Sequence, residues 1–136
     1  MFTKIIKTPL EAELQDIAAS YGFAPKIQRV DGSIVQMDSV DGLCLADIYT
    51  DDPTAIPDLI WIKIRYILAV LFEREGIEYV DITSYNFMED MDGKIWIIDF
   101  GDAYYTPQKK GEPAKNWFLQ SLLAGESGKA WNTDFA

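Results

Sequence analysis

The sequence predicts a single α+β domain, and three observations carry that reading. Two Asp-Gly pairs, Asp31-Gly32 and Asp92-Gly93, each stand between short apolar runs, which is a strong hairpin signal. Two other segments, 9–21 and 57–75, carry apolar residues at helical spacing instead. The chain has 136 residues, 49% of them hydrophobic, enough for one packed core and no more.

The elements follow in order. Residues 2–7 predict a short strand, closed by Thr8-Pro9. Leu10, Leu14, Ile17 and Tyr21 then recur at helical intervals, with Thr8 as N-cap, Pro9 at the first helical position and Gly22 as the stop. Strands at about 26–30 and 33–38 flank the first Asp-Gly turn. A short helix over 43–49 ends at Asp51-Asp52-Pro53. Pro57 opens a long helix to Glu75, stopped by Gly76. Its Leu59, Ile60, Ile64, Ile67, Leu68 and Leu71 leave few polar sides, which predicts a central buried helix. The second hairpin has arms near 86–88 and 94–98. A last helix, about 114–124, sets Phe118, Leu119, Leu122 and Leu123 on one stripe. Trp61, Trp96, Trp117 and Trp131 are read as core.

Composition narrows the function. A formal charge of -10 argues against a nucleic-acid partner, since a phosphate-binding face needs clustered Lys and Arg. It suits a metal-nucleotide site built on carboxylates, or a basic protein partner. Histidine is absent, which removes imidazole acid–base chemistry and His-ligated zinc. Cys44 is the single cysteine and is read as a small buried hydrophobe. No signal peptide is evident after Met1, and Asp58, Lys63 and Arg65 interrupt the apolar run 56–72, so no membrane span is expected. The cytoplasm is the expected compartment, that of an infected host or a virion included.

The chemistry concentrates in two stretches. The first is Asp81-Ile82-Thr83-Ser84-Tyr85-Asn86, the second Asp99-Phe100-Gly101. Asn86 lies five residues after Asp81, and Asp99 thirteen after Asn86, with the Asp92-Gly93 turn between them. This arrangement resembles the catalytic loop, hairpin and D-F-G of the protein kinases. The resemblance implies a reduced protein-kinase-like fold over 1–136. Residues 1–40 would form a partial N-lobe and hinge, and 41–136 a minimal, mostly helical C-lobe. It implies that Asp81 orients the attacking hydroxyl. Asn86 and Asp99 would be oxygen ligands for Mg²⁺ beside ATP.

The likeness extends upstream, through about residues 2–103. Met37 stands near the gatekeeper position, and the main chain of Asp38 to Val40 would meet the adenine edge. Phe100 and Gly101 complete the D-F-G beside the nucleotide. Lys4 stands where the family's phosphate-gripping lysine would, with Lys7 as the alternative. Its glutamate partner would come from the first helix: Glu13 is the choice, Glu11 the rival.

Four departures qualify the likeness. The chain starts at the lysine strand, so the strands bearing the glycine-rich loop are missing. Tyr79 and Val80 replace the motif's His and Arg, which argues against control by a phosphorylated activation loop. Thr83 takes the place of the usual Lys and resembles the loop of the small kinase in the tRNA-modifying KEOPS complex. Finally, only 35 residues follow Gly101, with no A-P-E. Minimal kinases of bacterial effectors and large DNA viruses are trimmed in a similar way. Tyr104, Tyr105 and Thr106 offer hydroxyls for phosphorylation, but are read as packing residues.

Two functions are therefore carried forward. One is a minimal serine/threonine-type protein kinase using ATP and Mg²⁺. The other is a pseudokinase serving as a binding or scaffold module. In either, an oligomer or partner would complete the nucleotide site. Small-molecule phosphotransfer is the weakest alternative, because its usual large C-terminal substrate region has no counterpart here.

Overall fold

The computed structural model describes residues 1–126 and 128–135. Strand β1 (Phe2–Ile5) leads into helix α1 (Pro9–Ser20), followed by strands β2 (Ile27–Asp31) and β3 (Ile34–Met37). These make an antiparallel sheet of order β1-β3-β2, with β1 pairing Phe2 to Met37 and Ile5 to Ile34. Gly32 has φ 61°, the left-handed conformation that the hairpin turn requires. Val35 and Met37 point from the sheet onto α1 and pack with Ile6 and Ala12 as a small satellite core. Pro9 does start α1, although the Thr8 side chain makes no capping bond.

The second part begins with strand β4 (Gly42–Cys44) and helix α2 (Leu45–Tyr49), then a single 3-10 turn, Pro53–Ala55. Helix α3 (Asp58–Glu75) ends at Gly76 in the left-handed conformation. Strands β5 (Ile77–Glu78), β6 (Phe87–Asp90), β7 (Ile95–Ile97) and β8 (Tyr104–Tyr105) precede helix α4 (Trp117–Leu123). They form one sheet of order β4-β6-β7 and a two-stranded pair β5-β8. Ile60, Trp61, Ile64, Ile67, Leu68 and Leu71 of α3 join Phe87, Ile95, Ile97, Leu119 and Leu122 in the main core. Burying such side chains is worth about 1.5–3 kcal/mol each, and this makes α3 the element on which the second hairpin and the loop before it rest.

Three expectations need correction, and three short strands went unread. Helix α3 is one-sided, since Leu59, Ile62 and Tyr66 lie exposed on its outer face. Trp61 and Trp131 are core, but Trp96 is half-buried and Trp117 is 73% exposed. Cys44 is half-buried and sits within hydrogen-bond distance of Asp47, at 3.1 Å. Strands β4, β5 and β8 were not legible, because two or three residues give no period to read. Among the described residues, no helix is long and apolar enough to cross a membrane.

Candidate active site

The turn after β1 sends α1 back across the sheet, so a strand residue and a helix residue face each other. Lys4 Nζ lies 2.5 Å from Glu11 Oε1 and 3.3 Å from Asp99 Oδ1. Glu11 is buried and Lys4 nearly so, while Asp99 keeps 42% of its side chain exposed. The glutamate is Glu11, not Glu13. Glu13 lies on the outer side of α1 and accepts a 2.6 Å hydrogen bond from Tyr105. Helix phase explains the correction. The inward stripe of α1 is Glu11, Ala12, Leu14, Gln15 and Ala18, whereas Ile17 and Tyr21, which pointed to Glu13, are only partly covered.

Asp99 closes the second hairpin strand, where its carboxylate also accepts from the Gly101 amide at 2.8 Å. Gly101 permits this crowding: a Cβ there would lie 3.2 Å from Asp99 Oδ1 and 3.6 Å from Glu11 Oε2. Phe100 is buried against Tyr79, ring centroids 5.4 Å apart. Tyr79 packs edge-on against Phe87 as well and donates to the Asp99 carbonyl at 2.6 Å. Burial, reinforced by the surrounding carboxylates, pushes the Tyr79 hydroxyl well above its ordinary value, so it remains a donor.

Asn86 follows a tight turn and donates from Nδ2 to the Asp81 carbonyl at 2.9 Å. Burial raises the Asp81 carboxyl above its usual range, helped by Asp102 and Asp99 and opposed by a hydrogen bond from Asn86.

The loop is held from beneath by residues the sequence did not flag. The Asn132 side-chain amide donates to Val80 O at 2.7 Å, and its main-chain N–H to Ile82 O at 2.9 Å. Trp131 stacks on Trp61 and donates to the carbonyl of Asp51, whose carboxylate accepts from Ser84 at 2.6 Å. Glu78 is fully buried just upstream. It accepts from Thr106 Oγ1, Tyr104 Oη and the amides of Lys115 and Asn116, at 2.6 to 3.0 Å. Burial pushes its pKa up, but the four donors outweigh that and hold the carboxyl below its ordinary value. A buried Glu among apolar neighbours was the one available signal.

Met37 is buried, its sulfur 3.3 Å from Gln15 Nε2. The Asp38 amide is taken by Lys26 O and its carboxylate by Gln28 Nε2. The Asp38 carbonyl and the Val40 amide make no hydrogen bond among the described residues. Asp38, Ser39 and Val40 border a cavity of about 140 Å³ with Gly22 and Trp96. A larger hollow, about 1060 Å³, runs between the end of α3, residues 105–114 and α4. Neither hollow is lined by Lys4, Asp81, Asn86 or Asp99.

Comparison with solved structures now decides the architecture. The kinase PK-1 of Cydia pomonella granulovirus superposes with a TM-score of 0.68 at 16% identity, covering 95% of this chain and 60% of that one. The fold is kinase-like. A second match is Rv3197 from Mycobacterium tuberculosis, solved as its erythromycin complex, with a TM-score of 0.58 at 24% identity, over 72% of this chain and 27% of that one. The chain thus spans less than two thirds of either structure. No protein-family model and no curated protein matches the sequence. The α+β class predicted from the hairpins and helices is the one observed, as a reduced kinase-like fold.

Proposed function

We propose that this chain is a minimal Mg²⁺- and ATP-dependent protein kinase of the serine/threonine type. One observation carries the reading: Lys4 bridges Glu11 on the helix and Asp99 at the end of the second hairpin. A lysine so held keeps a fixed positive charge at the cleft, where phosphate oxygens would bind.

The residues fit a magnesium–nucleotide complex. Asn86 spends Nδ2 on the Asp81 carbonyl, which leaves Oδ1 without a hydrogen bond among the described residues. Asp99 spends Oδ1 on Lys4 and Gly101, which leaves Oδ2. Two oxygen ligands are few, and no cluster of three acidic, His or Cys residues placed to hold a metal occurs among the described residues. That suits Mg²⁺, which takes one or two protein oxygens and completes its shell with phosphates and water. The metal would supply neutralisation of charge on the phosphates. Asp81 would orient the acceptor hydroxyl and receive its proton, a role its raised pKa favours. The free Asp38 carbonyl and Val40 amide would pair with the adenine edge. A protein of net charge -10 would prefer basic protein substrates or partners, in an ATP-containing compartment such as a cell's cytoplasm.

Calorimetry of ATP binding tests the reading, comparing wild type with Asp99→Asn, with and without Mg²⁺. Binding that requires Mg²⁺ and is lost in the variant supports it, as does phosphate transfer abolished by Asp81→Ala. The absence of binding at millimolar ATP in folded protein would leave a pseudokinase binding module.

A further inference from the structure

Helix α3 carries two apolar faces, and only one of them is covered. Ile60, Ile64, Ile67, Leu68 and Leu71 face the main core. Leu59, Ile62 and Tyr66 stand three and four residues apart on the opposite side, within about 60° of arc on a helix of 3.6 residues per turn. They are 59%, 57% and 63% exposed, and the partly buried Ala69 and Val70 continue the row. A helix that is apolar on two sides belongs between two partners. The row lies mid-chain. Strand β1 sits in the first sheet, and Trp131 and Asn132 pack elsewhere, on Trp61, Val80 and Ile82.

Tyr66 is held in place although it is exposed. Its ring meets Phe23 edge-on at 6.2 Å, and Phe23 in turn stacks on Tyr21. A pre-set aromatic ring is the kind of anchor on which binding energy concentrates. The borders of the row are basic: by helix phase, Lys63 and Arg74 lie along one side and Arg65 along the other. Lys63 donates to Gly93 O and Arg65 to Leu122 O, and none of the three forms an ion pair among the described residues. The nearby carboxylates are mostly engaged. Asp58 pairs with Lys129 at 2.8 Å, Glu89 on the neighbouring hairpin accepts from Tyr49, and Glu73 closes the far end of the row. On a chain of net charge -10, this is a basic margin around an apolar row.

We propose that the outer face of α3 is a docking site for an amphipathic helix of another protein, one whose apolar stripe is bordered by Asp and Glu. Such a helix packs its stripe against Leu59, Ile62 and Tyr66, as ridges of one helix enter the grooves of another. Its acidic borders meet Lys63, Arg65 and Arg74, which fixes orientation and speeds encounter. A second copy of this chain is a poor occupant. Two-fold pairing about Ile62 and Tyr66 would bring Lys63 and Arg65 of both copies together at the axis, and each copy carries a charge of -10. The proposal stands independently of the nucleotide reading, because none of these residues belongs to that cluster.

The test uses synthetic helices of three heptads with Leu at a and d and either Glu or Lys at e and g, whose like charges keep each from pairing with itself. A scrambled Glu version is the control. Two variants report on the face. Ile62→Glu charges the middle of the row, and Arg74→Glu reverses one border. We expect the Glu-flanked helix to bind wild type in titration calorimetry. Binding should fall at least tenfold in Ile62→Glu and at least threefold in Arg74→Glu, both still folded by circular dichroism. Equal binding by wild type and Ile62→Glu, a preference for the Lys-flanked helix, or no binding at millimolar concentration would overturn the proposal. So would a wild-type dimer in sedimentation that Ile62→Glu dissolves, since the occupant would then be a second copy. Attachment to phosphatidylserine vesicles that is lost in Ile62→Glu would overturn it too, in favour of a membrane surface. ATP binding, measured separately, does not enter these outcomes.

Discussion

The Asn132 side chain donates to the Val80 carbonyl at 2.7 Å from fifty-two residues further along the chain. With the Asn132 amide on Ile82 O, the two bonds bracket Asp81. Asn132→Leu keeps the volume but removes one of the two donors to the Val80 carbonyl, which keeps only the Ile82 amide, so it should cost about 0.5–1.5 kcal/mol. Hydrogen exchange should rise across residues 80–84 while α3 stays protected. Unchanged exchange there would show that the loop does not depend on this tether.

The charged cluster separates two neighbouring glutamates. Lys4→Met strands Glu11 in the interior and should destabilise by about 3 kcal/mol, as breaking one side of a buried pair does. Glu11→Gln should weaken Mg²⁺-ATP binding at least tenfold. Glu13→Gln should leave it within twofold, since Glu13 touches only Tyr105 across the cleft's outer side. If the Glu13 variant proved the weaker binder, the helix phase described above would be wrong.

Glu78 should dominate the acid sensitivity of the fold. Its carboxyl is held below the ordinary value of 4.5 when folded. The contribution is therefore fully present above that value and is lost as pH falls through the folded one. Glu78→Gln should cost about 3 kcal/mol at pH 7, where four bonds to a charged acceptor become bonds to a neutral one. Urea midpoints between pH 6 and 3 should fall more steeply in wild type than in the variant. Parallel curves would place the acid transition elsewhere.

Gly42→Ala should break the start of the β4–β6 ladder. A Cβ at Gly42 would lie 2.2 Å from the Glu89 carbonyl oxygen and 2.7 Å from Asp90 Cα. Backbone cannot yield as a side chain can, so we expect a loss of at least ~2 kcal/mol. Gly32→Ala meets no atom within 4 Å, and its cost should be that of the left-handed backbone alone, about 1 kcal/mol. Thermal melts of the two variants rank the effects.

Much of the fold was legible because its signals are local. The helices over 9–21 and 57–75 declare themselves by period and by Gly22 and Gly76, and both hairpins by Asp-Gly. The spacing of Asp81, Asn86 and Asp99 is local in the same sense: a loop and one hairpin separate them. What escaped reading depends on distant contacts. Glu11 rather than Glu13 is decided by which face of α1 the sheet covers, and small residues, Ala12 and Ala18, mark that face instead of large ones. Glu78 and Asn132 find their partners 26 to 52 residues away, beyond any periodic pattern. Trp117 lies exposed at the larger hollow, a place that size and hydrophobicity alone would never assign it.

The tie from Tyr79 to the Asp99 carbonyl has a consequence for the environments this protein can occupy. An imidazole in that place would gain a proton between about pH 5 and 8, and the joint would change charge with its surroundings. A phenol raised well above its ordinary value of 10 carries the same proton through that entire window. In a chain without any histidine, the central joint of the cleft is indifferent to acidification. The Tyr79 tie therefore holds its charge state from neutral to mildly acidic surroundings, and any acid response within the cleft falls to its carboxylates, Asp81 with its raised pKa among them.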